Sequence, residues 1–455
     1  MTMTRPLPPL GWDQGVRGTD AVDESPDPAT VSVALEARVA PVELRPGVTT
    51  QAWTYNGAVP GPLIRAHVGD RLIVRFTNSL PEETTIHWHG VRLPANMDGV
   101  PDVSQPAVPP GGSFEYSFTL PDAGLFWYHP HVHSTVQVGD GLYGAVLVEE
   151  KPDTALPDLG DQTVLVLSDA SIQPDGTFTD PTAGGDIATL FGREGNVVLV
   201  NGHVQPTLLA RPGQRLRWRI VNAARSSYQQ LAMAGHTFTQ IGTDGGFITA
   251  PVALDRVVVI PAGRADVVVT PAGNPGDVLP VRWVAYDRGW GTAFNRPDVD
   301  LFYVKLVAGS PFEEPPLPDH LRTIAPLDVT GATPRALELS TVPGDGSLVL
   351  GINGVPSWEA KPLVANVGDT EVWTITNSMD FDHPFHLHGF FFQPLDPATG
   401  APPAAPEWRD TFNVPAWTTV QMAVQFDDRR GMWMFHCHIL DHADAGMMGM
   451  IHVGL

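Results

Sequence analysis

Between Gly69 and Asn78 the chain reads GDRLIVRFTN, with Leu72, Val74 and Phe76 at every second position. The same beat returns at 213–222, GQRLRWRIVN, with Leu216, Trp218 and Ile220, and at 368–377, GDTEVWTITN, with Trp373 and Ile375. A period of two predicts strands with one face on a core. Each stretch follows an Asn-Gly pair, at 56–57, 201–202 and 353–354. Each has a turn glycine (Gly69, Gly213, Gly368) and closes on an asparagine nine residues later (Asn78, Asn222, Asn377). Shared spacing over three copies predicts three homologous β-domains. No stretch of helical period rivals these strands. The segments 149–161 and 308–321 are rich in proline and acid, as linkers are. The expected domains are therefore 30–150, 160–310 and 322–455. Each is expected to be an antiparallel Greek-key β-sandwich, which makes the chain all-β.

Charge narrows the partners. The formal net charge is −23 and the isoelectric point about 4.9, so a phosphate backbone would be repelled and nucleic acid is not an expected partner. No apolar run reaches membrane-spanning length. The first twenty residues have neither an apolar core nor a twin arginine, so either the protein is not exported or a signal has been removed; the compartment stays open. The single cysteine, Cys437, rules out an intrachain disulfide.

Histidine carries the chemistry. Eight of the 16 histidines form four His-x-His pairs: His87 and His89, His129 and His131, His386 and His388, His436 and His438. Residues two apart on a strand point to one face, so each pair offers two imidazoles side by side. The pairs obey the repeat. His87 and His386 each lie nine residues past the closing asparagine, where the middle copy has Leu231, with Met233 two further on. His129 and His436 each lie five past a glycine, Gly124 and Gly431. First and third domains thus present matching pairs that would meet at their interface, and eight imidazoles are too many for one ion, so a metal cluster is implied. His133 has no counterpart and reads as a supporting or surface residue; His67, His203, His236, His320 and His452 are isolated.

Cys437 lies between His436 and His438 and, on a strand, would face the other way, into its own domain. A thiolate with two imidazoles and a long axial thioether is a blue-copper electron-transfer site. His442 and Met447 follow on the next loop, and His383 is spaced to come from another strand. One covalent segment would then join two metal sites.

The motifs HWHG (87–90), YHPH (128–131), HPFHLHG (383–389) and HCHILDHADAGM (436–447) resemble those of the multicopper oxidases, the family of laccases and bacterial copper-tolerance oxidases, from about residue 45 onward. The resemblance implies three cupredoxin domains and four copper ions. It implies type 2 copper on His87 and His386, and a type 3 pair on His89, His129, His131, His388, His436 and His438. Type 1 copper would sit on His383, Cys437, His442 and Met447. A reducing substrate would give electrons singly to the type 1 site, and Cys437 would carry them to the cluster, where O2 becomes water. Asp98, in NMDGVP, matches the proton-donating aspartate of bacterial members. Many bacterial relatives have a glutamate where this chain has Ala443, and Asp444 is the residue that would take over that second proton route. No methionine-rich insert lies between 350 and 430. Its absence points to phenols or aromatic amines as the small reducing substrate, with a metallo-oxidase of Cu(I) or Fe(II) as the nearer alternative. A structural, non-catalytic member is the remoter one. Trp408 and Asp410 are read as neighbours of the type 1 pocket.

Overall fold

The computed structural model describes residues 20–151, 154, 158–289, 297–309, 314–343 and 348–454. The N-terminal stretch 1–19 and parts of both expected linkers (152–153, 155–157 and 310–313) lie outside the described residues.

The repeated residues do one job three times. Asn56, Asn201 and Asn353 have φ of 55°, 50° and 58°, and the glycines after them 80°, 78° and 71°. Two successive positive φ values reverse the chain tightly, which asparagine and glycine tolerate best. Each asparagine side chain also accepts a backbone N–H from a neighbouring strand: Glu36 (2.7 Å), Val166 (2.7 Å) and Glu338 (2.8 Å). The closing asparagines are buried and equally matched. Asn78 Nδ2 donates to the carbonyls of Glu82 and Val108 (both 2.8 Å), Asn222 Nδ2 to Ser227 and Val259 (2.7 and 2.8 Å), and Asn377 Nδ2 to Phe381 and Val414 (2.8 and 3.0 Å). These bonds pin the end of a core strand to the loop that leads to the next one, so the residue nine positions on lands at the same place in each copy.

Six sheets stack as three sandwiches. In the first, the strands Thr30–Arg45, Val48–Tyr55, Arg71–Asn78 and Ser113–Thr119 face Gly61–His67, His87–His89, Gly124–His129 and Gly144–Glu149. The third repeats this, with His383–Leu387, Thr411–Val414, Gly431–Cys437 and Met448–Val453 in the sheet that carries the histidines. The sheets are mixed rather than antiparallel throughout. Each sandwich contains two parallel pairs, for example Thr30–Arg45 with Arg71–Asn78 and Gly61–His67 with Gly144–Glu149. The cause is connectivity: the chain crosses to the opposite sheet between paired strands, and a crossover lets neighbours run the same way.

The apolar members of the three repeated strands are buried as their alternation requires: Leu72, Val74, Phe76, Trp218, Ile220, Trp373 and Ile375. Leu216–Asn222 departs from the half-buried pattern, because it is buried on both faces. Arg217 on its polar face is paired with Asp266 (Nε–Oδ1 2.9 Å), and Arg219 Nε donates to Gln162 (3.1 Å). One apolar cluster runs from Val33, Phe76 and Trp88 of the first sandwich to Trp373, Phe385 and Ile451 of the third; the middle sandwich has its own, around Trp218, Phe238 and Phe302. No helix among the described residues is long and apolar enough to cross a membrane.

Candidate metal centres

Strand pairing brings the histidines together. His87 pairs with His129 across one sheet and His386 with His436 across the other. At the seam the two sheets interleave their rings crosswise. His87 stacks on His388 with centroids 3.9 Å apart, and His89 on His386 at 3.7 Å. His131 meets His436 at 5.3 Å and His129 meets His438 at 5.4 Å. The arrangement has approximate two-fold symmetry, as two copies of one unit facing each other should. The donor nitrogens fall into three sets, each within 4.8 Å: His87, His89 and His386; His89, His129 and His438; His131, His388 and His436. His129 and His131 serve different sets, as do His386 and His388, and His436 and His438. Three of the four His-x-His pairs therefore divide between donor sets, while His87 and His89 share one. Only His87–His89 lies wholly within a strand; in the other pairs the second histidine lies one or two residues past the strand's end.

The electrostatics suit metal. Burial, with repulsion from neighbouring imidazoles, holds His89, His129, His388, His436 and His438 well below the usual histidine range, and His131 down at about 3. The rings are thus neutral at physiological pH, the form that binds metal. Hydrogen bonds fix their tautomers. His87 Nδ1 donates to the Asp98 carbonyl (2.8 Å) and His386 Nδ1 to the Asp410 carbonyl (2.8 Å). Their Nε2 atoms, with His89 Nδ1 and His129 Nε2, are buried and have no hydrogen-bond partner among the described residues. Buried polar atoms are rarely left bare, so inward-facing bare nitrogens fit a bound ion.

A second donor set lies in the core of the third sandwich. His383 Nδ1 and His442 Nδ1 are 3.3 and 3.5 Å from Cys437 Sγ and 3.2 Å from each other. A triangle of that size has its centre about 1.9 Å from each corner, close to transition-metal bond lengths to nitrogen and sulfur. All three residues are fully buried. Burial pushes the Cys437 thiol up, so it is a thiolate only when a cation replaces its proton. Met447 is buried beside it, with its carbonyl accepting from Cys437 N (3.1 Å). His442 Nε2 donates to the Leu190 carbonyl (3.0 Å), at the end of the helix Gly185–Phe191 from the middle sandwich, and burial holds its pKa at about 3.

Three acids complete the picture. Asp98, 1% exposed, accepts from His388 Nδ1 (2.8 Å) and lies 3.3 Å from His87 Nδ1, so it ties the first sandwich to the third. Its MDG segment is also a turn. Gly99 has φ of 80°, and a Cβ there would sit 1.8 Å from the Ile86 carbonyl. Asp444 is exposed and its Oδ2 accepts from Thr135 N (2.9 Å), four residues beyond His131. Asp410 is not beside Cys437 as the sequence reading had it. It lies at the seam, 3.2 Å from His89 Nε2. The missed signal was local: the next residue, Thr411, is the strand partner of His386. The Trp408 carbonyl accepts from Gly245 N of the middle sandwich (3.0 Å). His133 is exposed, at φ of 41°.

Family models described as multicopper oxidase match residues 36–153, 161–279 and 328–454. The multicopper oxidase MmcO of Mycobacterium tuberculosis is 33% identical, covering 92% of this chain and 86% of that protein. A laccase of Bacillus subtilis is 27% identical, covering 88% of this chain and 89% of its own. Among solved structures, a Campylobacter jejuni multicopper oxidase described as a metallo-oxidase superposes with a TM-score of 0.84 at 29% identity, covering 99% of this chain and 98% of that one. The family implies four copper ions, one type 1, one type 2 and two type 3, and the donor sets supply imidazoles and a thiol of the kind copper takes. With three sandwiches, these donor sets and matches along nearly the whole length, the chain belongs to the multicopper oxidase family and is an oxidoreductase.

Proposed function

We propose that the protein is a laccase-like oxidase, taking single electrons from phenols or aromatic amines and using four of them to reduce O2 to two waters. The observation that carries this reading is the covalent link between the donor sets: Cys437 belongs to the one in the third sandwich, and its chain neighbours His436 and His438 belong to two different sets of the seam. On this reading His383, Cys437, His442 and Met447 hold the type 1 copper. His87 and His386 hold the type 2 copper, and His89, His129, His131, His388, His436 and His438 hold the type 3 pair. Domains 30–150 and 322–455 share the cluster, and 160–310 supplies no ligand. Copper, when bound, supplies the one-electron redox chemistry. The chain's own residues do the rest. Cys437 offers a bonded path one residue long to two imidazoles of the seam. Asp98, buried and hydrogen-bonded to His388, is the acid that delivers protons as O2 is reduced. Asp444, exposed to water at the boundary, takes protons from solvent for a second route.

A second reading, a metallo-oxidase of Cu(I) or Fe(II), is favoured by one feature. The outward nitrogen of His442 is covered by the Leu190 carbonyl, so a phenol has no direct approach to that ring. The test is O2 uptake by the copper-loaded protein with a methoxyphenol and with Cu(I) as parallel donors. Rapid uptake with the phenol and little with Cu(I), beyond its own autoxidation, supports the laccase reading. The reverse result overturns it in favour of the metal oxidase.

A further inference from the structure

We propose that Arg264, from the sandwich without ligands, is a positioning residue for the imidazoles at the seam and acts through Asp410. This rests on the trinuclear assignment above. Arg264 opens the strand Arg264–Val269, and its side chain is 1% exposed. Its Nη1 donates to Asp410 Oδ1 (2.8 Å) and to the Ala262 carbonyl (2.9 Å), and its Nη2 pairs closely with Asp410 Oδ2. Nε donates to the Leu125 carbonyl (3.1 Å). The guanidinium thus touches all three sandwiches, with its fork closed on one carboxylate.

Asp410 in turn governs one ring from each ligand-bearing sandwich. Its Oδ1 accepts from His89 Nε2 (3.2 Å), and its carbonyl accepts from His386 Nδ1 (2.8 Å). Thr411 Oγ1 donates to Asp410 Oδ1 (2.8 Å) and lies 3.1 Å from both His89 Nε2 and His386 Nδ1. These contacts put the ring protons of His89 and His386 on the outer nitrogens. The inner ones, His89 Nδ1 and His386 Nε2, are the bare donors that face the cluster. A carboxylate behind a ligating imidazole orients the ring and selects its tautomer. At 1% exposure such a carboxylate needs a partner charge, and Arg264 is that partner. The glycine of HWHG fits the same clamp: Gly90 has φ of 83°, and a Cβ there would lie 2.5 Å from both Arg264 Nη2 and Asp410 Oδ2.

The test uses the copper-loaded full chain with Arg264→Met, Arg264→Lys and Gly90→Ala. Copper per chain is followed during chelator dialysis, the type 2 signal by electron paramagnetic resonance, and the type 1 site by its blue absorption. In Arg264→Met, type 2 copper should leave at about tenfold to a hundredfold lower chelator concentration, with the blue band intact. Gly90→Ala should give the same signature from the opposite side. Arg264→Lys, which keeps the charge but not the fork, should stay folded with an altered type 2 signal. If the variants that fold keep wild-type type 2 spectra and chelator resistance, and lose only thermal stability, Arg264 is a structural tie and the proposal fails. If the wild-type protein has a blue band but no type 2 signal, the trinuclear assignment itself fails.

Discussion

The middle and third sandwiches begin alike and end differently. Asn222 and Asn377 make the same buried bonds from the same place in the repeat. Nine residues on, the third has His386, paired across the sheet with His436, while the middle has Leu231, paired with Trp283. Leu231 and Met233 are packed into the core around Trp218, and Trp283 Nε1 donates to the Tyr228 carbonyl (2.9 Å). The residues that steer the backbone are therefore separable from those that carry chemistry. The middle copy has Leu231 and Met233 in place of a histidine pair but faces the histidine clusters of its neighbours with arginines. Arg264 holds Asp410 behind the seam, and Arg193 holds Asp441, next to His442, with its backbone N donating to Oδ2 at 2.7 Å.

Four changes would break or sharpen that contrast. Cys437→Ser should abolish the blue colour and turnover of reducing substrates, because nothing in the middle sandwich can substitute for the thiolate; visible spectra and O2 uptake decide it, and full activity would sink the assignment. Next in size is acid sensitivity of the metal-free protein. Imidazoles held below their unfolded value near 6.5 bind fewer protons when folded, so stability is lost as pH falls from about 6.5 toward the folded values, about 3 for His131 and His442. Each contributes up to about 2 kcal/mol at pH 5, so the melting temperature should drop on the order of 10 °C between pH 7.5 and 5. Limited proteolysis should find cuts in the first and third sandwiches before the middle, whose histidines, His203 and His236, are only half-buried. Third, Leu231→His with Met233→His restores the pair in the middle copy. It should bind no additional copper, because Trp283 occupies the opposing position, and unfolding free energy should fall by roughly 2–5 kcal/mol. Urea titration and metal analysis test this, and a fifth copper ion would overturn the separation drawn above. Smallest, Asp98→Asn should slow reoxidation by O2 by about tenfold to a hundredfold while the type 1 site stays reducible. Stopped-flow bleaching and recovery of the blue band separate the two steps, and unchanged recovery removes the proton role.

Much was legible because it is local. Asn-Gly turns, alternating strands and closing asparagines sit within about two dozen residues of one another, and their spacing survives in three copies. His-x-His pairs and the cysteine between two histidines are likewise contiguous, so their chemistry can be read without a fold. The parallel pairs within each sandwich were not legible, since strand direction depends on which sheet the chain crosses to.

By itself the sequence determined the repeat, the β class and the identity of the candidate donor residues, because short-range sterics and side-chain chemistry decide those. Only the tertiary structure decided how the donors divide. Three of the four histidine pairs are split between donor sets, since the rings of two sandwiches interleave across a seam. Asp410 lies behind that seam and not beside Cys437, because Thr411 pairs with His386. Arg264 reaches it from the copy without a histidine pair, since a buried carboxylate takes its counter-charge from whatever packs against it, at any distance along the chain.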